Sequence, residues 1–454
     1  MNDITAFFAF LKYCLGYKEN MSRVIAGMNW HELYSFASKQ ALLGLCFEGI
    51  ERLGEEYPEE LKWNPIGREL LMTWMGKAQQ IRRQNMKVNA VASKLYSMFR
   101  EDGLRCCVLK GQGNALMYPN PYFRTPGDID VWIDASRERI MEYAQKKFEL
   151  EDDIRLQHLE TSLDGVPVEL HFFPCSMNNP ICQVRLQKWF LRNADLQCSH
   201  IVGLPDGAGD IAIPTTAFNV VYQLTHLYHH FFDEGIGMRQ IIDYFLVVND
   251  FSKNVFLNND LSNPSVSLSK GSSTSHPSPL SSEERDGTAL RCSEPLRYKD
   301  GGPSKVSPDC AGWDRRGVSG DIASDASVIS AFTTDSSAST ALDVVQRELK
   351  YLGLWKFAGA VMYVLHETLG LPEEKMIVPV DEKRGRLLLA EILDGGNFGR
   401  HFTKYAGFTH QSMGKKYFLK IWRNMHFVRY YSAEALCEPL FRTWHFFWRL
   451  KYKK

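Results

Sequence analysis

The sequence predicts an α+β protein that is mostly helical, with a small α/β core between N-terminal and C-terminal helical regions. Three observations predict this. Apolar residues recur at helical spacing through residues 1–100, short apolar runs alternate with helix patterns between 101 and 205, and helical periodicity then resumes. At 454 residues, with 44% hydrophobic and 12% aromatic residues, the chain has enough apolar surface for more than one core.

In the N-terminal region the clearest pattern lies in residues 67–102, where Leu70, Leu71, Trp74, Met75, Met86, Val91, Leu95 and Met98 follow a 3.6-residue period without proline. From Gly103 the pattern changes. "LRCCVLK" reads as a strand, "QGNALMY" as a short helix and "DIDVWI" as a strand. "SRERIMEYAQKKFEL" reads as a helix with Ser136 as its N-cap. "IRLQHLETSL" and "VPVELHFF" read as strands joined by Asp164-Gly165, a dipeptide suited to a tight hairpin. The order is β-α-β-α-β-β.

Residues 206–251 form the first part of a helical domain, and residues 341–454 the second part with a basic aromatic tail. The intervening 252–340 are roughly a quarter serine, with Gly, Pro and charges interspersed. Such a composition buries too little apolar surface to offset chain entropy, so this insert is expected to be disordered. In the tail, Phe418, Ile421, Trp422, Met425 and Val428 share a helical face, expected to pack on the core with its cations in water. Peripheral contact of this tail with an anionic membrane is the lesser alternative. "DGGNFG" at 394–399 reads as a helix terminus.

Lys+Arg and Asp+Glu both number 53, so net charge gives no reason to expect nucleic acid or membrane as the main partner. The ten cysteines are irregularly spaced with no C-x-x-C pair, which suits a reducing compartment. No stretch is apolar enough to span a bilayer, and the first twenty residues lack the cationic start of a signal peptide. A cytoplasmic location is expected.

The chemistry concentrates in three short segments. Alternation along a strand places Asp128 and Asp130 on one face and Ile129, Val131 and Ile133 on the other. Two carboxylates about 7 Å apart along a strand can converge on magnesium. Glu169 and His171 share a face of the later strand, where Glu169 can supply a third carboxylate to a two-ion site. Lys110-Gly111 ends a strand and opens a helix, an arrangement that admits phosphate. Arg124 can either grip a triphosphate or pair with a nearby acid. His226 and His230 stand one helical turn apart, and are read as packed or hydrogen-bonded rather than zinc-binding.

These segments resemble the nucleotidyltransferases of the polymerase-beta superfamily, especially the group common in bacterial gene clusters for surface polysaccharides. The matching stretches are "LKG" at 109–111, "RTPGDIDV" at 124–131, "VELH" at 168–171 and "HLYHH…GIGMRQIIDY" at 226–244. The resemblance implies a polymerase-beta-like α/β core with Asp128, Asp130 and Glu169 holding magnesium, two ions in all. It also implies Lys110 and Gly111 at the nucleotide phosphates. His171, Arg239 and Asp243 are candidate acceptor-site residues. Where the superfamily has Gly-Ser or Gly-Gly, this chain has Gly111-Gln112 and a longer spacer. The expected reaction moves a nucleoside monophosphate from an NTP such as ATP to a sugar, metabolite, protein or nucleic-acid acceptor. The alternatives are a metal-dependent glycosyltransferase using a nucleotide sugar, and a non-catalytic nucleotide-binding or interaction module.

Overall fold

A computed structural model of the protein describes residues 3–150, 155–261, 340–402 and 413–452. The N-terminal region forms α1 (Asp3–Cys14), α2 (Ser22–Ala26), α3 (Trp30–Lys39), α4 (Leu43–Glu56), α5 (Pro58–Trp63) and α6 (Arg68–Glu101). The last is 34 residues long and serves two cores. Leu70, Trp74 and Ala78 in its first half pack with the other helices, whereas Val88, Val91, Leu95 and Phe99 in its second half pack on the sheet. Met75 and Met86 of the expected apolar face are instead 38% and 49% exposed, because the stripe shifts as the helix passes from one core to the other.

The α/β unit follows in the expected order: β1 (Cys106–Leu109), α7 (Gly111–Ala115), β2 (Ile129–Ile133), α8 (Arg137–Lys147), β3 (His158–Leu163) and β4 (Val166–His171). Ser136 accepts from the Arg139 N–H and caps α8. Asp164 and Gly165 have φ of 50° and 69°, the paired positive angles that a two-residue hairpin needs. The sheet order is β1-β2-β4-β3, with β2 and β4 parallel and the outer pairs antiparallel. Val108, Ile129, Val131, Val168 and Leu170 build one face against α6 and α8.

The opposite face carries Asp130, Trp132, Glu169 and His171, as strand alternation requires. It lies against the helical domain. After α9 (Pro180–Ser199) and the small β5 (Ile201–Gly203)–β6 (Asp210–Ala212) hairpin come α10 (Thr216–Asp233) and α11 (Met238–Leu261). Trp132 stacks on Phe218 of α10 at 6.2 Å and 9°. Helix α11 runs ten residues into the segment expected to be disordered, and the remainder, 262–339, lies outside the described residues. The chain returns as α12 (Ala341–Tyr351), α13 (Trp355–Leu369) and α14 (Glu382–Gly395), whose apolar residues join one core with α1, α4, α10 and α11. Gly396, with φ of 64°, follows the end of α14 as the sequence indicates.

The tail forms α15 (Met413–Met425) and α16 (Ser432–Tyr452), but α15 is turned differently from expectation. Phe418, Trp422 and Met425 are 66%, 47% and 48% exposed, while Arg423 and Asn424 are buried. Arg423 Nη2 donates to the Phe231 carbonyl at 2.8 Å and Asn424 Nδ2 to the Phe232 carbonyl at 2.9 Å. These carbonyls belong to the last turn of α10, where no intrahelical N–H remains to satisfy them. That need turns the polar side of α15 inward. Among the described residues, no helix is long and apolar enough to cross a membrane.

Candidate active site

The carboxylate face of the sheet, α7, α10 and α11 enclose a pocket of about 280 Å³. All nine candidate residues line it: Lys110, Gly111, Arg124, Asp128, Asp130, Glu169, His171, Arg239 and Asp243. Parallel register sets Asp130 beside Glu169 on adjacent strands. Asp128 precedes β2 and lines the pocket, reached by solvent on one side and packed by protein atoms on the other. Burial against the surrounding protein, with Asp130 and Glu169 adding repulsion, raises its carboxyl pKa to about 6. Asp130 is 6% exposed. Burial alone would raise its pKa, but Lys110 and His171 outweigh that and hold the carboxyl well below its ordinary range.

His171 sits between two of the carboxylates. Its Nε2 lies 3.0 Å from Asp130 Oδ1 and 3.1 Å from Glu169 Oε2. Burial would lower its pKa, yet the hydrogen bonds to both carboxylates raise it to about 9. Glu169 is lowered in turn, the bond from His171 overcoming its own burial.

Lys110 occupies backbone with φ of 51° and ψ of −123°, followed by Gly111 at φ 33°. Such a conformation costs a non-glycine residue on the order of 1–3 kcal/mol and persists only where surroundings impose it. They do so here. Lys110 Nζ donates to Asp130 Oδ1 at 3.2 Å and lies 2.7 Å from His226 Nε2, which accepts because an ammonium only donates. Gln112 is buried and hydrogen-bonds Asn89 on α6. Asn114 exchanges two amide hydrogen bonds with Gln223 on α10, at 3.0 and 2.6 Å. The unusual Gly-Gln segment therefore fastens α7 to two helices. That helix has only five residues, so the strained turn rather than a long helix dipole shapes this end of the pocket.

Arg124 pairs with an acid across the fold while its Nη1 stays buried without a partner. Its Nε and Nη2 grip Asp243 Oδ1 and Oδ2 at 2.8 and 2.7 Å, and Tyr118 donates to Asp243 Oδ1 at 2.7 Å. Asp243 thus has both oxygens engaged, and it pairs across the fold rather than with Arg239 one turn earlier. Arg239 donates from Nη1 to the Thr125 carbonyl at 3.1 Å and lies over the Phe398 ring at 5.4 Å. Its Nε is buried without a partner. The His226–His230 pair is hydrogen-bonded at 3.1 Å, as the sequence reading favours.

Several lining residues escaped sequence reasoning. Gln223 lines the pocket from α10, and Gln157 and His158 reach it from the β3 side, where His158 pairs opposite His171. For His158 the signal is the alternation of polar residues in "HLE" and "ELH"; for Gln223 there is none.

The sequence profile of a family described as "Uncharacterised nucleotidyltransferase" matches residues 26–262, just over half of the chain. This chain belongs to that family. Its matched span contains every candidate residue named above. No curated protein matches the sequence. Among solved structures, the chain is similar to an antigenic nucleotidyltransferase-like protein from Paracoccidioides brasiliensis. Identity is 15%, coverage is 38% of this chain and 89% of that one, and the TM-score is 0.25.

Proposed function

We propose that the pocket performs magnesium-dependent nucleotidyl transfer, moving a nucleoside monophosphate from an NTP to an acceptor hydroxyl. The observation that carries this reading is the row Asp128, Asp130 and Glu169 facing one pocket beside Lys110. Family membership supports the reaction class. The donor set fits two magnesium ions: it consists of hard carboxylate oxygens, and burial together with repulsion from Asp130 and Glu169 raises the Asp128 carboxyl to about 6, a cost that a bound cation would relieve. Asp128 and Asp130 would hold both ions, and Glu169 would complete the acceptor-side one. Bound magnesium would supply charge neutralisation on the triphosphate and a lowered pKa for the acceptor hydroxyl.

The chain's own groups prepare the site. Lys110, held by Asp130 and His226, presents its ammonium where the strained turn lets backbone approach a phosphate. Arg239 joins Arg124 as a cation for the triphosphate: Arg239 Nε and Arg124 Nη1 both line the pocket region buried without a partner. His171 keeps Asp130 and Glu169 oriented by donating between them.

Pyrophosphate release from labelled NTP, with calorimetry of magnesium-ATP binding, tests the proposal. Asp130→Asn should lose magnesium-dependent nucleotide binding. Glu169→Gln should bind ATP nearly normally yet turn over on the order of 10²–10³ more slowly. Wild-type affinity in Asp130→Asn would reject the site. Binding without turnover in the native protein would leave a nucleotide-binding module.

A further inference from the structure

Strand β3 brings a second set of ligands to the edge of the carboxylate row. Antiparallel pairing sets His158 opposite His171, with Glu169 two residues before His171 on the same face. The two imidazole rings are 4.9 Å apart. His158 Nδ1 is 3.4 Å from Glu169 Oε2, and Glu169 Oε2 is 3.1 Å from His171 Nε2. One ligand atom from each of the three lies within 4.8 Å of the others. Donors about 2.1 Å from a common ion stand about 3.0–3.4 Å from one another, so two of the three edges already have the length of a coordination shell.

His158 itself points to a ligand. It is 8% exposed, and neither ring nitrogen has a hydrogen-bond partner. A buried polar group left in that state costs about 1–3 kcal/mol unless something bonds it. We propose that His158, Glu169 and His171 bind a first-row transition dication of the cobalt, manganese or zinc kind. Two imidazoles with one carboxylate suit such ions, whereas magnesium prefers oxygen donors and water. Asp128 and Asp130 remain the position for the harder ion. Glu169 is common to both sites, so the inference rests on the reading of Glu169 as a cation ligand and refines which ion it holds.

The surroundings accommodate the change. With Nδ1 of His158 on the ion, its Nε2–H points toward Glu160 Oε1, now 3.6 Å away, in the carboxylate–histidine arrangement common behind metal sites. Ligation through His171 Nε2 displaces that nitrogen's proton to solvent and leaves Nδ1 protonated, facing the Gln157 amide at 3.3 Å. A half-turn of that amide would present Oε1 as acceptor. That turn gives up the Gln157 bond to the Pro174 carbonyl, 3.0 Å long, and requires the side chain to move off that oxygen.

The test uses full-length protein and cobalt alone, without magnesium or nucleotide. Titration should produce the visible absorption of protein-bound cobalt, and X-ray absorption of the loaded wild type should count two imidazole ligands. His158→Gln should weaken cobalt binding about tenfold or more, since altering even an outer-shell partner commonly costs 10–100-fold. A cobalt centre without imidazole ligands, or equal affinity in wild type and His158→Gln, overturns the inference. The ligand count needs no variant, so misfolding of His158→Gln cannot obscure the answer. Magnesium-ATP calorimetry on the same wild-type sample separates the two claims. Histidine-bound cobalt without nucleotide binding would sink nucleotidyl transfer and keep the metal site. Nucleotide binding with imidazole-free cobalt would do the reverse.

Discussion

Replacing Arg124 with methionine tests the buried pair that it forms with Asp243. In the structure both ends of the Arg124–Asp243 pair are about 5% exposed, and Asp243 receives three hydrogen bonds, two from the guanidinium and one from Tyr118. Methionine fills most of the volume but leaves the Asp243 carboxylate buried with only the tyrosine hydroxyl. Removing one partner of a buried pair costs about 3–5 kcal/mol, because the other charge is left uncompensated. At about 2–4 °C per kcal/mol, the expected fall in melting temperature is on the order of 10 °C. Arg124→Met with Asp243→Leu should recover much of this, because the stranded charge is then gone. The assay is thermal unfolding by circular dichroism, with ATP calorimetry alongside. If Arg124→Met melted within a degree or two of wild type, the stabilising role of the pair would be refuted.

Other predictions follow from buried groups and from composition. Burial raises the Glu434 carboxyl to about 7, despite hydrogen bonds from the Asn178 and Asn179 N–H groups. Because the folded pKa exceeds the unfolded value of 4.5, its stabilisation is full below pH 4.5 and lost as pH rises through 7. The loss is on the order of 3 kcal/mol, so Glu434→Gln should flatten the melting-temperature profile between pH 5 and pH 8; parallel profiles for variant and wild type would refute the assignment. Gln223→Leu strands the Asn114 amide and should cost about 1–3 kcal/mol, read by thermal unfolding, with weaker ATP binding as α7 loosens. Replacing residues 262–339 with a short Gly/Ser linker should leave the melting temperature within about 3 °C, since a serine-rich segment adds mainly closure entropy. A larger loss would show that the segment packs.

The sequence by itself determined the local elements and which residues share a strand face. Ser136 as a cap, Asp164-Gly165 as the hairpin turn, and the same-face placement of Glu169 with His171 all follow from rules spanning a few residues. Helical and strand periodicities are properties of the backbone, so they survive without knowledge of distant partners. Only tertiary structure decided the assignments that depend on who lies opposite. Arg124 meets Asp243 across 119 residues of chain, a pairing that no local pattern announces. Gln112 is spent on α6, which explains a departure from the expected Gly-Ser or Gly-Gly turn that spacing alone left open. Helix α15 shows its aromatic side to solvent because Arg423 and Asn424 satisfy the last carbonyls of α10. His158 joins the site only through strand register, since nothing in "QHLE" states which residue it will face. In each case the deciding term is a buried charge or an unsatisfied polar group. Its free energy depends on a partner brought near by the fold, and no local pattern encodes that partner.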